Sequence, residues 1–320
     1  MKVSLWTAEA ASAATQGDLL GASDWTASGV SIDSRTVEAG DLFVALVGPN
    51  QNGHAYVKMA LDKGAAVALV SEDVTDVDAN TPLLKVGDTQ TALEALGIAA
   101  RDRSEAKRIA VTGSVGKTGT KEMLRHVLSA QAPTHASVKS YNNLWGVPLT
   151  LARMPIDTAY GVFEIGMNHA GEITPLTKQV QPDVAMITTV APVHLEFFES
   201  VDAIADAKAE IFDGLKAGGT AIINADIPQT NRLITAAGKV ADVDIVTFGE
   251  DHDARVRLLT MQNDADGSDV TALLDGDEMS YRLGLPGPHL VMNSLAVLAA
   301  VKAVGADVHN AAEAMATLAP

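Results

Sequence analysis

A chain of 320 residues with 40 acidic and 23 basic side chains carries a net charge of −17, which excludes broad electrostatic binding to nucleic acid or anionic membranes, since both need clustered lysine and arginine. That length is too great for one ordinary core, so two domains are expected, and a 47% hydrophobic composition poor in aromatics suits tightly packed helices on parallel strands rather than disorder. There is no cysteine for disulfide or thiol chemistry, no apolar leader, and no apolar run near the roughly 20 residues that cross a bilayer; a cytoplasmic protein without membrane insertion is expected.

Residues 1–85 read as a small mixed α/β domain, and 86–320 as a larger one. In the first, Trp6 to Ala14 and Ala55 to Lys63 are helical, whereas Gly29 to Asp33, Asp41 to Val47 and Ala65 to Val70 are strand-like. Two polar stretches, Asp33-Ser34-Arg35 and Gly48 to His54, have turn composition. Chain reversal is their first reading, although Ser34 and Arg35 could also meet a phosphate or carboxylate. A short strand, Leu83 to Val86, and an amphipathic helix, Thr89 to Arg103, lead into the second domain.

That domain opens with a β-branched strand running into Thr112-Gly113-Ser114-Val115-Gly116-Lys117-Thr118-Gly119 and then an amphipathic helix. Strand, glycine turn and helix make a phosphate cradle: backbone N–H groups and the helix dipole surround the phosphate, the Lys117 ammonium reaches the outer oxygens, and the Thr118 hydroxyl is available to Mg²⁺. Val111 stands where the longest form of this pattern has glycine, so the alternative is an ordinary strand-to-helix turn with an exposed lysine. Further strands, 134–138, 159–165, 183–190, 219–224 and 243–248, alternate with helices, predicting a doubly wound, mostly parallel sheet whose ligands sit beyond the strand carboxyl ends.

Polar residues gather at those ends. Glu164 closes an apolar strand, where a carboxylate either meets Mg²⁺ or caps the next loop. His194 follows the strand 183–190, as a ligand or as a hydrogen-bonded loop residue. On the predicted helix Val201 to Leu215, Lys208 falls within the apolar stripe Val201, Ile204, Ile211, Phe212 and Leu215. A lysine there commonly snorkels outward; otherwise it loses its charge, and the neutral amine is the form that adds CO₂ to become a metal-binding carbamate. Asn142 and Asn143 lie in a loop beside the cradle, as turn formers or ligand contacts. Past Glu250, alternating segments predict a small antiparallel meander, followed by a helix from Leu290 to Val304 with His289 and Asn293 on one face at its start, and a last helix from Val308.

Taken together, Asp33-Ser34-Arg35, Gly40 to Leu46, Asn52-Gly53-His54, Thr112 to Thr118, Tyr141-Asn142-Asn143 to Thr150, Glu164 to Ile173, and Ala207-Lys208-Ala209-Glu210-Ile211-Phe212 resemble the Mur ligase family, and within it the members that join D-Ala-D-Ala to UDP-N-acetylmuramoyl-tripeptide. The resemblance implies an ATP-dependent amide ligase, acting as a monomer, in which the substrate carboxylate becomes an acyl phosphate and the amine displaces phosphate. By the matching positions, Gly113 to Gly119 cradle the nucleotide with Lys117 on its β- and γ-phosphates. Thr118 and Glu164 hold one Mg²⁺; His194 with Glu164 holds a second, and Lys208 matches a lysine that several members carbamylate. Asn142 and Asn143 face the reacting groups, His289 and Asn293 contact the nucleotide, and Ser34 and Arg35 lie where the front domain receives the uridine nucleotide.

Three departures stand out. Leu290 and Asn52 occupy places where relatives often carry asparagine and aspartate, and the family's third, C-terminal domain is expected to be missing, leaving a weakly active or inactive form. A folylpolyglutamate-type or other Mur-type ligase, and a non-catalytic nucleotide-binding module, are the competing readings.

Overall fold

The computed structural model describes residues 4–138, 140–193 and 197–319, which divide into two compact units. The first extends to Glu105 and takes back Pro148–Ile156; the second holds Ala106–Val147 and the chain from Asp157 on.

In the first unit the order is β1 (Trp6–Thr7), α1 (Ala8–Thr15), β2 (Asp18–Leu20), β3 (Thr26–Ala27), β4 (Gly29–Ser31), β5 (Asp41–Val44), α2 (Val57–Asp62), β6 (Val67–Val70), β7 (Leu83–Lys85) and α3 (Thr89–Asp102). Five strands form one sheet in the order β2-β7-β6-β5-β4, parallel except at β2. The unit runs about twenty residues past the boundary near residue 85 expected from composition, and the reason is where α3 spends its apolar face. Leu93, Leu96 and Ala100 are fully buried, and α3 packs on α1. At Gly97 the Pro148 carbonyl comes to 3.0 Å from where a Cβ would stand. Arg103 lies 4.2 Å over the Trp6 ring and donates to the Leu5 carbonyl at 2.6 Å. The returning segment is pinned twice: Trp6 Nε1 donates to Ala152 O at 2.9 Å and Arg153 Nε to Val30 O at 2.5 Å.

The second unit is built on β8 (Lys107–Thr112), α4 (Lys117–Ser129), β9 (Thr134–Ala136), α5 (Gly146–Ala152, of which 148–152 count with the first unit), β10 (Tyr160–Glu164), α6 (Ile173–Val180), β11 (Val184–Ile187), α7 (Val201–Ala209), β12 (Thr220–Asn224), α8 (Thr230–Ala237), β13 (Asp244–Gly249), β14 (Val256–Asn263), β15 (Ser268–Leu274), β16 (Asp277–Leu283), α9 (Pro288–Ala303) and α10 (Val308–Met315). Nine strands pair in the order β16-β15-β14-β13-β12-β11-β8-β10-β9. Pairing is parallel from β9 to β14, and β14-β15-β16 form the antiparallel meander. The parallel strands are buried on both faces. Ile109, Val111, Val162, Met186 and Ile222 join the core under α4, α9 and α10, while Ala110, Phe163, Ile187 and Ile223 fill the other face, where α6 lies against β8 and the chain after α7 against β11.

The helix expected from Trp6 to Ala14 begins at Ala8, because Trp6–Thr7 pair with Thr26–Ala27 as a strand, and two helices of the second unit also differ from their sequence reading. The one expected from Val201 to Leu215 stops at Ala209, and Glu210–Gly214 tightens into a 3₁₀ turn; Gly214 is pressed so close to α6 that a Cβ there would stand 2.2 Å from the Thr177 carbonyl. The helix expected from Leu290 begins at Pro288, whose missing N–H costs nothing at a first helical position.

A candidate active site at the carboxyl ends of the central strands

Strand β8 lies between β10 and β11, so the chain leaves it toward β9 on one side and returns to β11 on the other. That reversal opens a crevice beyond the strand ends. The glycine turn occupies it. Gly113 (φ 152°) has no room for a side chain, since a Cβ would stand 1.9 Å from Thr188 Oγ1, and Gly116 (φ 87°) abuts Asn293, whose Nδ2 would lie 2.9 Å from a Cβ. The segment after β11 holds the turn in place: Ser114 N donates to Thr189 O at 2.8 Å, Ser114 Oγ to Ala191 O at 3.1 Å, and Thr188 Oγ1 to Val115 O at 2.6 Å. Among the described residues nothing comes within 4 Å of where a Cβ would stand at Gly119. The 13-residue α4 therefore presents its positive end to an uncrowded mouth. Lys117 Nζ donates to the Gly113 carbonyl at 2.7 Å, and burial holds its pKa below the usual lysine range, an effect the nearby Glu164 charge opposes.

Glu164 ends β10 at the register position of Val111 and is 1% exposed. Thr118 Oγ1 donates to its Oε2 at 2.9 Å and Asn142 Nδ2 to its Oε1 at 2.8 Å, while its own N–H donates to Ser137 Oγ at 3.3 Å. A buried carboxylate held by neutral donors retains its demand for a cation. The two loop asparagines separate in role. Asn142 reaches Glu164, whereas Asn143 Oδ1 accepts from the N–H groups of Trp145 (3.2 Å) and Gly146 (2.9 Å) and so caps the start of α5. Both border a cleft of about 550 Å³ that Lys117, Trp145, Met167 and Glu172 also line.

Lys208 is 2% exposed: it does not snorkel. Burial, with a smaller contribution from the Lys117 charge, brings its pKa down to about 7. His194 lies outside the described residues, and among those described no group of three or more His, Asp or Glu side chains is arranged for a metal. Asn293 is buried against Gly116, while His289 stands exposed in the first turn of α9.

In the first unit, the Arg35 guanidinium forks onto Asp33 (2.9 and 2.8 Å) and holds that carboxyl below its usual range. Lys63 Nζ binds the carbonyls of Ser34 (2.8 Å) and Arg35 (3.0 Å), so the turn reading of Asp33-Ser34-Arg35 is satisfied from within. Asn52 caps the following turn through His54 N and reaches Glu72; His54 Nε2 accepts from Ser71 N at 2.8 Å, and burial keeps the ring neutral by lowering its pKa.

Two residues of the site escaped the sequence reading. Lys121, fully buried, donates to the Ser137 carbonyl at 2.9 Å and pairs with Glu122; its only sequence signal is a place in line with Leu124 and Leu128. Glu210 accepts three backbone hydrogen bonds around the start of α6, from donors 36 to 39 residues away in sequence.

Residues 111–301 match the Mur ligase middle domain, and 26–96 match the Mur ligase family catalytic domain. The chain belongs to the Mur ligase family. It is 35% identical over 290 residues to UDP-N-acetylmuramoyl-tripeptide--D-alanyl-D-alanine ligase of Rickettsia prowazekii, a match covering 91% of this chain and 64% of that protein. This Mur ligase chain thus spans a little under two thirds of the length of that relative. A crystal structure of MurF from Acinetobacter baumannii superposes with a TM-score of 0.87 at 33% identity, over 98% of this chain and 68% of that one. MurF from Thermotoga maritima in complex with ADP shares the fold, with a TM-score of 0.74 at 24% identity over 91% of this chain and 66% of that one. Among the described residues of this Mur ligase no helix is long and apolar enough to cross a membrane.

Proposed function

We propose that this Mur ligase joins D-Ala-D-Ala to UDP-N-acetylmuramoyl-tripeptide at the expense of ATP, as a cytoplasmic monomer supplying peptidoglycan precursors. The observation that carries the reading is the buried Glu164 carboxylate, which accepts from Thr118 and Asn142 at the mouth of the phosphate turn, in a chain one third identical to enzymes named for that reaction.

In this reading the amides of Gly113 to Gly119 and the α4 dipole take the nucleotide phosphates, and Lys117 Nζ transfers its hydrogen bond from the Gly113 carbonyl to the β- and γ-phosphates. Asn293, packed on Gly116, and His289 one turn earlier contact the rest of the nucleotide. The donors fit Mg²⁺: a hydroxyl and a buried carboxylate lie 2.9 Å apart beside the phosphate turn. Thr118 and Glu164 would hold the ion, which supplies neutralisation of phosphate charge. His194 and Lys208 are the proposed ligands of a second. For Lys208 this requires a carbamate: the neutral amine, accessible near pH 7, adds to CO₂ with release of a proton, turning a cation into an anion.

The substrate carboxylate attacks the γ-phosphorus, the bond to the β,γ-bridging oxygen breaks, and ADP leaves. The amine of D-Ala-D-Ala then attacks the acyl carbon of the acyl phosphate, phosphate departs with the C–O electron pair, and the amine proton passes to solvent. Asn142 orients the acyl end in the cleft beside Lys117; Asn143 contributes by shaping that loop. Residues 1–85, with Ser34 and Arg35, are proposed to receive the uridine-linked part. Phosphate release that requires ATP, Mg²⁺, the tripeptide substrate and D-Ala-D-Ala together is the expected outcome, at the low rate that the sequence leads one to expect. Release that proceeds with a folate in place of the tripeptide overturns the assignment.

A further inference from the structure

We propose that Glu210 is a positioning residue: its carboxylate fastens the α7 corner that carries Lys208 to the loop and helix that wall the cleft beside Lys117. Helix α6 starts without a cap of its own. Its preceding residue, Glu172, turns its carboxylate back onto Asn168 N (2.7 Å) and His169 Nδ1 (3.0 Å), leaving the first amides of the helix to be met from elsewhere. Glu210 meets them. One oxygen accepts from Gly171 N at 2.6 Å; the other accepts from Ile173 N at 3.2 Å and Thr174 N at 3.1 Å. An anion at a helix N-terminus is favoured by the dipole as well as by the hydrogen bonds.

The seam continues beyond this one side chain. Thr174 Oγ1 reaches Asp213 at 2.7 Å, Thr177 Oγ1 donates to the Ile211 carbonyl at 2.7 Å, and Gly214 allows the two backbones to touch. On one side of the seam stand Met167, Asn168, Glu172 and Leu176 of the cleft wall; on the other, two residues before Glu210, stands Lys208. Glu210 joins the two sides where the chain lies next to each: its donors Gly171 and Ile173 flank Glu172, and it stands two residues after Lys208. Loosening it moves the cleft wall and the Lys208 corner apart, whereas the phosphate turn, which is stitched to the segment after β11, stays in place.

The experiment compares amide hydrogen exchange in the wild type, Glu210→Ala and Glu210→Gln, the last retaining one neutral acceptor. In Glu210→Ala, exchange over 168–176 and over 203–212 is expected to rise about tenfold together, with 109–125 unchanged; Glu210→Gln is expected to fall between. Loosening of 168–176 alone makes Glu210 a plain helix cap and overturns the proposal, as does no change in either segment or loss of the folded state in both variants. The functional arm rests on the proposed reaction: the KM for the UDP-muramoyl tripeptide should rise about tenfold in Glu210→Ala with the KM for ATP within twofold. Equal rises in both, or none, overturn the positioning role. A wild type with no D-Ala-D-Ala-dependent phosphate release defeats the reaction instead, and the paired exchange pattern then decides for Glu210 by itself.

Discussion

Across the nine-stranded sheet, the parallel strands and the antiparallel meander treat charge in opposite ways. At the carboxyl ends of β8 and β10, Lys117 and Glu164 are withdrawn from water, and the nearby Lys208 is buried; hydrogen bonds to Glu164 come from an amide and a hydroxyl. Around the meander the charges are exposed and matched. Arg282 pairs with Asp264 and Asp269, Arg255 with Asp244 and Asp275, and Lys302 with Asp275, so that Arg282 draws the Asp264 pKa down to about 2. Charges answered by their neighbours serve solubility and cost little to remove. Under the proposed function, the charges answered by neutral groups serve a ligand, at a cost in stability.

The strongest way to break this contrast is at Glu164. Glu164→Gln keeps the volume and one acceptor, so kcat for phosphate release is expected to fall on the order of 10²- to 10³-fold while thermal stability is unchanged or higher. A variant that loses stability instead would make Glu164 a structural residue. Lys208 sharpens the contrast through pH. Its folded pKa of about 7 lies below the unfolded value of 10.5, so between the two the unfolded chain binds a proton that the folded chain lacks. The penalty of the buried amine is full below pH 7 and shrinks as pH rises toward 10. Measured by denaturant unfolding in CO₂-free buffer, Lys208→Met should exceed the wild type by on the order of 4 kcal/mol at pH 6, with the gap closing by pH 10. A gap that is flat with pH would refute the burial of a titrating amine.

Gly113→Ala is next. With φ at 152° and Thr188 Oγ1 at 1.9 Å from the added carbon, about 2 kcal/mol of stability should be lost, and ATP affinity should weaken about tenfold by fluorescent nucleotide titration. The smallest effect belongs to the meander. Arg282→Ala is expected to leave kcat and KM unchanged and the melting temperature within about one degree. A loss of activity there comparable to that of Glu164→Gln would erase the distinction between the two ends of the sheet.

Legibility followed the range of the interactions. The phosphate turn was readable because its geometry is written into consecutive residues, and Glu164 because a carboxylate closing an apolar strand is conspicuous. For Lys208 the apolar stripe predicted the conflict but not its outcome, which is burial to 2% exposure and depends on tertiary packing that the stripe does not specify. Asn142 and Asn143 are chemically identical neighbours; one reaches a strand end 22 residues away and the other caps its own helix, a division that the local sequence does not encode. Glu210 was invisible for the same reason, its partners being helix amides distant in the chain. An amphipathic helix announces that it will be covered without saying by what; α3 is covered by α1, and the first compact unit therefore extends past residue 85.

The return of Pro148–Ile156 to the first unit has a consequence for synthesis on the ribosome. Trp6 and Arg103 are made early, yet the carbonyl that accepts the Trp6 indole and the arginine that binds Val30 emerge only after β8, α4 and β9 have been translated. The first unit therefore closes its last contacts after strands of the second unit's sheet have been made, and the order of folding departs from the order of the chain.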